Sequence, residues 1–247
     1  MTPGKRLKVL GVTAAFAGFA LAAMLLSSPR GRALDHDDDD ERDPRIEKGF
    51  DIAPVHLDLE GKNRNLVGLG SYIVNALADC DGCHSAGPRT EFFPGSNPYF
   101  IRQTGKINPA TYLGGGRDFL TLVPCNPPTV PCSAHIISRN LTPTPKTALP
   151  EGDHTFAEFK EIIRTGKDFD HLHPTCPMGT VNAGCIPAPF DGELLQIMPW
   201  PIQKNMSDHD IRAIYEYLKA IPCIQGNYPG PNGLAQGIPP EPADRCK

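Results

Sequence analysis

The sequence predicts an all-α fold, a helical domain with modest helix, little sheet and long Pro/Gly-rich loops. Three observations carry this expectation. Apolar residues recur at helical spacing in three separated segments; proline (27) and glycine (24) are abundant among the 247 residues; and eight cysteines include several close pairs. Proline and glycine at this level punctuate a globular chain without making it a disordered low-complexity one. Eight cysteines are more than an ordinary cytosolic protein carries without a metal or cofactor.

The chain opens "MTPGKRLKVLGVTAAFAGFALAAMLLSSPR", in which Lys5, Arg6 and Lys8 precede an uncharged apolar run from Val9 to Leu26. A basic flank before such a run is an export signal, and roughly 18 residues lie between a signal-peptide core and a minimal membrane span. Residues 1–33 are therefore expected to be a signal peptide or an N-terminal membrane anchor. Cleavage after Ala33, with Gly31 at the minus-three position, is one outcome; Arg30 and Arg32 favour retention. Residues 34–64 are expected to form an acidic polar linker. Positions 35–43 alone hold seven acids against one base, a run that repels itself and stays solvated. Residues 44–247 hold 21 acids and 18 bases, so the expected globular part, 65–247, gives no electrostatic support to nucleic-acid binding.

The first helical segment is "NLVGLGSYIVNALAD", where Leu66, Leu69, Ile73 and Leu77 recur at helical spacing, so Cys80 is expected at the end of this helix. Next stands "CDGCH", Cys80 to His84. A dithiol oxidoreductase places its CxxC at a helix start after a strand, and here the preceding segment reads as helix. Zinc needs two further ligands at matching spacing, which Cys125/Cys132 and Cys176/Cys185 lack, although His171 and His173 form an H-x-H near Cys176. Covalent haem explains all three residues together. In a helical turn, positions i, i+3 and i+4 share a face, so Cys80 and Cys83 can bond the two vinyl groups while His84 faces the iron. The motif occurs once, which predicts one haem c. Export then has a chemical reason, because in bacteria c-type haem is attached beyond the membrane, where disulfides also persist. The six remaining cysteines are expected to pair locally as Cys125–Cys132, Cys176–Cys185 and Cys223–Cys246.

A low-spin carrier needs a second axial ligand. Met198 lies in "QIMPWPIQKNMSDHD", where Pro199 and Pro201 stiffen the backbone, and it is the favoured candidate. Met178, a histidine or an open position remain alternatives, while Met206 suits packing at a helix entrance. Two more helices follow from local signals. Thr155 and Glu158 form a capping box before Phe156, Phe159, Ile162 and Ile163, with Gly166 as the stop; Ser207 caps a helix carrying Ile211, Ile214, Leu218 and Ile221. The Phe156 helix is expected to wall a haem crevice, with "NLTPTP" as a proline-fixed loop. Arg117 and Trp200 are candidates to hydrogen-bond haem propionates.

The stretches "GSYIVNALADCDGCHS", "YLGGGRDF", "ISRNLTPTPKTALPEGDHTFAEFKEIIRTGKD" and "IMPWPIQKNMSDHDIRAIYEYLKAIP" resemble monohaem c-type cytochromes, particularly the haem domains in cytochrome subunits of membrane-bound alcohol and sugar-acid dehydrogenases. The resemblance spans residues 68 to 222. It implies a cytochrome c-like helical domain in which Cys80 and Cys83 carry the haem, His84 is the proximal ligand and Met198 the distal one. It also implies that the helix before Cys80 crosses the one after Ser207, with Gly68 and Gly70 permitting close approach near Tyr72 and Tyr215 or Tyr217. Large cytochrome subunits of that group carry three such domains, whereas this chain has one, and "PCNPPTVPC" and "CPMGTVNAGC" look like additions.

The expected function is electron transfer by one haem with His/Met ligation, on the periplasmic side of a bacterial cytoplasmic membrane. The expected partners are redox proteins: a dehydrogenase, an oxidase or another cytochrome, with the membrane held through the N-terminal segment. A haem enzyme, or an oxidoreductase subunit with an open sixth position, is the alternative. No acid–base constellation can be placed near the haem from sequence, and His135, His154, His171, His173 and His209 are scattered.

Overall fold

The computed structural model describes residues 43–86, 88–123, 133–226 and 244–247. The N-terminal apolar segment, nearly all of the acidic run and the expected Cys125–Cys132 pair lie outside the described residues. Among those described, no helix is long and apolar enough to cross a membrane.

The first helix, α1 (Pro44–Ile52), lies within the stretch expected to be linker. Asp43 caps it by accepting the Arg45 N–H at 2.9 Å, and Pro44 occupies the first turn, where a missing N–H costs nothing. Ile46 and Gly49 are buried against α2 (Arg64–Tyr72), so this part of the chain belongs to the folded body. Asn63 caps α2 through the N–H groups of Asn65 and Leu66. The helix then widens into a π-helical turn, Ile73–Leu77.

Glycine decides how closely these helices approach. A Cβ on Gly49 would lie 1.8 Å from the Gly68 carbonyl oxygen, and one on Gly70 would lie 2.0 Å from that of Ala213. Ala213 belongs to the last helix, α7 (Asp208–Ala220), capped by Ser207 accepting the Asp210 N–H. Thus α2 is held between α1 and α7: Gly70 serves the expected crossing, and Gly68 serves α1 instead. Val67, Leu69, Ile73, Val74, Ile211 and Leu218 form the core of this layer. Tyr217 hydrogen-bonds Tyr112 (2.8 Å) and Asn75 (3.2 Å) inside it, and Tyr215 packs on Phe156 and Phe159.

Between these helices come α3 (Cys80–His84), α4 (Pro88–Glu91), α5 (Phe156–Thr165) and α6 (Trp200–Gln203). The expected capping box is present on α5, and Gly166 ends that helix in the left-handed conformation, φ 74°. Its indole neighbour requires glycine as well, since a Cβ there would lie 2.2 Å from Trp200.

The all-α expectation is corrected by an antiparallel pair, β1 (Asp118–Thr121) with β2 (His135–Ile137), in which Asp118 faces Ile137 and Thr121 faces His135. Isolated bridges join Phe92 to Ile107, Lys167 to Leu194 and Thr175 to Ile186. The fold is therefore mixed, helices plus a small sheet. The reason is backbone accounting: buried loops need partners for their N–H and C=O groups, and extended pairing supplies them. The sheet has its own apolar cluster, Ala134, Ile136 and Ile186 with Phe119 and Leu122 against them. Two expected disulfides are formed, Cys176–Cys185 and Cys223–Cys246.

Candidate functional site

Asp79, in the left-handed conformation (φ 45°), separates the π-helical turn from α3, so Cys80 opens a short helix of its own. The expected placement of Cys80 at the end of the preceding helix is corrected accordingly. What precedes it is still helix and no strand, and the helical geometry of Cys80–His84 puts positions i, i+3 and i+4 on one face. Both thiols are free, whereas Cys176, Cys185, Cys223 and Cys246 are paired. Burial pushes the Cys80 thiol up to about 12, and burial raises Cys83 as well. An activated redox thiolate shows the opposite shift.

His84 is half-buried, and desolvation pushes its imidazolium below the ordinary value of 6.5. Its Nδ1 lies 2.8 Å from the backbone carbonyl oxygen of Arg139. For a neutral ring, only a protonated Nδ1 can donate to that carbonyl. Nε2 is then the lone-pair atom, the tautomer a metal ligand needs, oriented by a hydrogen bond on its other nitrogen.

Cys80, Cys83 and His84 line one crevice with Met198. Its empty space is about 1380 Å³, counting the open mouth. Most of the wall is apolar: Val74 from α2's extension, Ile162 and Ile163 from α5, Leu194 and Leu195 from the following loop, Ile214 and Leu218 from α7. Met198 is half-buried, with Pro199 beside it on the crevice wall. Met206 reaches the same crevice, and Met178 is fully exposed outside it. A haem here would have to suit these residues. Two unpaired thiols and a tautomer-fixed imidazole on one helical face, opening on an apolar slot that also holds a thioether, match the group's chemistry.

Sequence reasoning missed the polar end of the crevice. Arg139, Glu151, Asp168 and His173 line it together. Arg139 bonds Glu151 (3.2 Å), Asp168 (2.5 Å) and Asp170 (2.7 Å). Burial opposes its charge, and these three carboxylates more than offset that, holding the guanidinium protonated more firmly than usual. His173 donates through Nε2 to the His135 carbonyl at 2.7 Å. The H-x-H was the one signal in the sequence that touched this group. The two propionate candidates are engaged elsewhere. Arg117 donates to the Gly82 carbonyl and stacks on Phe119, and Trp200 donates to the Leu195 carbonyl at 3.1 Å. "NLTPTP" contributes Leu141 to the crevice, while Asn140 donates to the Ile224 carbonyl.

Comparison of the chain with protein-family models, with curated proteins and with solved structures finds no match.

Proposed function

We propose that the chain is a one-electron carrier with a single haem c, fastened through Cys80 and Cys83 and ligated by His84 and Met198. The observation that carries this reading is the crevice in which both unpaired thiols, the tautomer-fixed imidazole and a thioether meet a wall that is apolar except at one end. When bound, the group supplies reversible one-electron chemistry at iron. The chain's residues hold it: thioether bonds fix its edge, His84 is kept in one orientation by the Arg139 carbonyl, and the apolar wall excludes water. A thioether ligand and a dry wall both favour the reduced state and hence a high potential. The proposed site of action is the periplasmic face of a bacterial membrane, with a dehydrogenase, an oxidase or another cytochrome as partner.

A haem enzyme with an open sixth position is the second reading, favoured by Arg139, Glu151, Asp168 and His173 at the crevice's polar end. Against it, the guanidinium is committed to three carboxylates and His173 Nε2 to a carbonyl. Protein matured in a haem-attaching host separates the readings. Under the carrier reading, its ferrous form shows a low-spin spectrum and binds carbon monoxide poorly, and Met198→Leu lowers the midpoint potential and makes the iron partly high-spin. Rapid, complete carbon monoxide binding by the wild type points to the enzyme. An unchanged spectrum in Met198→Leu removes Met198 from the iron, and the absence of acid-stable haem removes the whole reading.

A further inference from the structure

Behind the polar wall of the crevice, His154 raises a separate question. It is 7% exposed, and its Nε2 is buried without a hydrogen-bond partner. A buried polar atom left in this state is costly, so native structures nearly always satisfy it. The nearest acceptors are carboxylate oxygens of Glu151 and Asp170, each 3.7 Å away, too far for a hydrogen bond.

The two carboxylates are divided in the same way. Glu151 gives Oε1 to Arg139 and turns Oε2 to His154; Asp170 gives Oδ2 to Arg139 and turns Oδ1 to His154. The guanidinium thus fixes the outer oxygens and leaves an inner pair converging with Nε2, all three atoms within 4.8 Å of one another. Outer-sphere hydrogen bonds that orient ligating oxygens are what metal sites use. Gly152 leaves the space clear: a Cβ there would lie 3.0 Å from His154 Nε2 and 3.3 Å from Asp170 Oδ1. The ring is also held in place. Tyr215 donates to the His154 carbonyl at 3.0 Å, and Phe169 packs beside the imidazole, centroids 5.6 Å apart.

We propose that Glu151, His154 and Asp170 form a divalent-cation site of the zinc class, separate from the crevice thiols. In tetrahedral coordination with bonds of about 2.0–2.1 Å, neighbouring donors stand roughly 3.4 Å apart. Contraction by a few tenths of an ångström brings both 3.7 Å separations to that value, and the third separation, inside 4.8 Å, closes by at most about 1.4 Å through rotation of the carboxylates. Charge points the same way. Asp168, Glu151 and Asp170 face one guanidinium, leaving two negative charges that a divalent ion cancels. One imidazole with two carboxylates suits zinc better than calcium or magnesium, which take oxygen alone. Asp170 is the more exposed ligand, its side chain 30% accessible, so water completes the coordination on that side.

The test uses the full chain matured with its haem, stripped with a chelator and titrated with Zn²⁺ under metal-buffered conditions. One equivalent is expected to bind, with an X-ray absorption shell of nitrogen and oxygen only. His154→Gln and Asp170→Asn each weaken binding by roughly 100-fold or more. The half-exposed position of Asp170 keeps that variant folded, which the near-ultraviolet dichroism verifies. No bound zinc in the wild type, undiminished binding in either folded variant, or sulfur in the metal's shell overturns the proposal. The sulfur result would put the metal on Cys80 or Cys83, and an unloaded haem site is read independently from the visible spectrum.

Discussion

Asp81, inside the "CDGCH" turn, has a consequence that pH makes measurable. The residue is 6% exposed; Oδ1 accepts the Leu113 N–H at 2.8 Å, and Oδ2 is buried without a hydrogen-bond partner. Burial, opposed by that one hydrogen bond, pushes it from 3.8 up to about 7. Between those values the folded chain holds a proton that the unfolded chain has released. The unfolded state then binds fewer protons, so stability falls as pH rises, reaching its floor above pH ~7. At ~1.4 kcal/mol for each tenfold change, the interval sets a ceiling of about 4 kcal/mol. Asp81→Asn keeps an acceptor for Leu113 and cannot ionise. Relative to the wild type, it is expected to gain about 2–4 kcal/mol in going from pH 4 to pH 8. Urea unfolding of the protein at closely spaced pH values gives both curves. If the difference between them stays constant from pH 4 to 8, the buried carboxylate is not the origin of the slope.

Two other perturbations test the frame around the crevice. Gly70→Ala places a Cβ 2.0 Å from the Ala213 carbonyl oxygen, so the crossing of α2 and α7 must open; a loss of about 3 kcal/mol, or roughly 6–12 °C in melting temperature, is expected in calorimetry. Replacing Cys223 and Cys246 together by serine opens a loop with a sequence separation of 23, and denaturant unfolding is expected to show a loss of about 3 kcal/mol with little change in the visible spectrum.

The parts legible in the sequence are those whose signal is local. The Thr155–Glu158 box, the Ser207 cap and the i, i+3, i+4 face of Cys80–His84 are each written within five residues, and each is present in the fold. The close cysteine pairs Cys176–Cys185 and Cys223–Cys246 are similarly local. Helix α1 was hidden because "PRIEKGFDI" offers few apolar residues and a glycine that reads as a breaker. That glycine is there because Gly68, 19 positions on, comes too close for a side chain. Strands β1 and β2 span four and three residues, too short for an alternating pattern, and their pairing joins segments that are not adjacent in sequence. Arg139, Glu151, Asp168 and Asp170 sit in loops, where no periodicity announces that one guanidinium will collect three carboxylates.

The sheet that corrects the all-α reading also matters to the site, through the position of one carbonyl. Strand β2 ends at Ile137; Ser138 then binds the other segment from both of its oxygens, its carbonyl accepting from Gly116 N–H and its hydroxyl from Arg117 N–H. Arg139 follows, its guanidinium tied to the carboxylates and its carbonyl aimed at His84 Nδ1. The glycines of "YLGGGRDF" pass between these two residues. Gly115 donates its N–H to the His84 carbonyl, and at φ 69° a Cβ on it would lie 2.5 Å from the Arg139 carbonyl carbon. A side chain there would push Arg139 away from the imidazole. The lone pair that His84 offers to the crevice therefore depends on three things at once: a strand end, a glycine and a buried ion cluster. A short motif nominates His84, but only the mixed fold holds its tautomer.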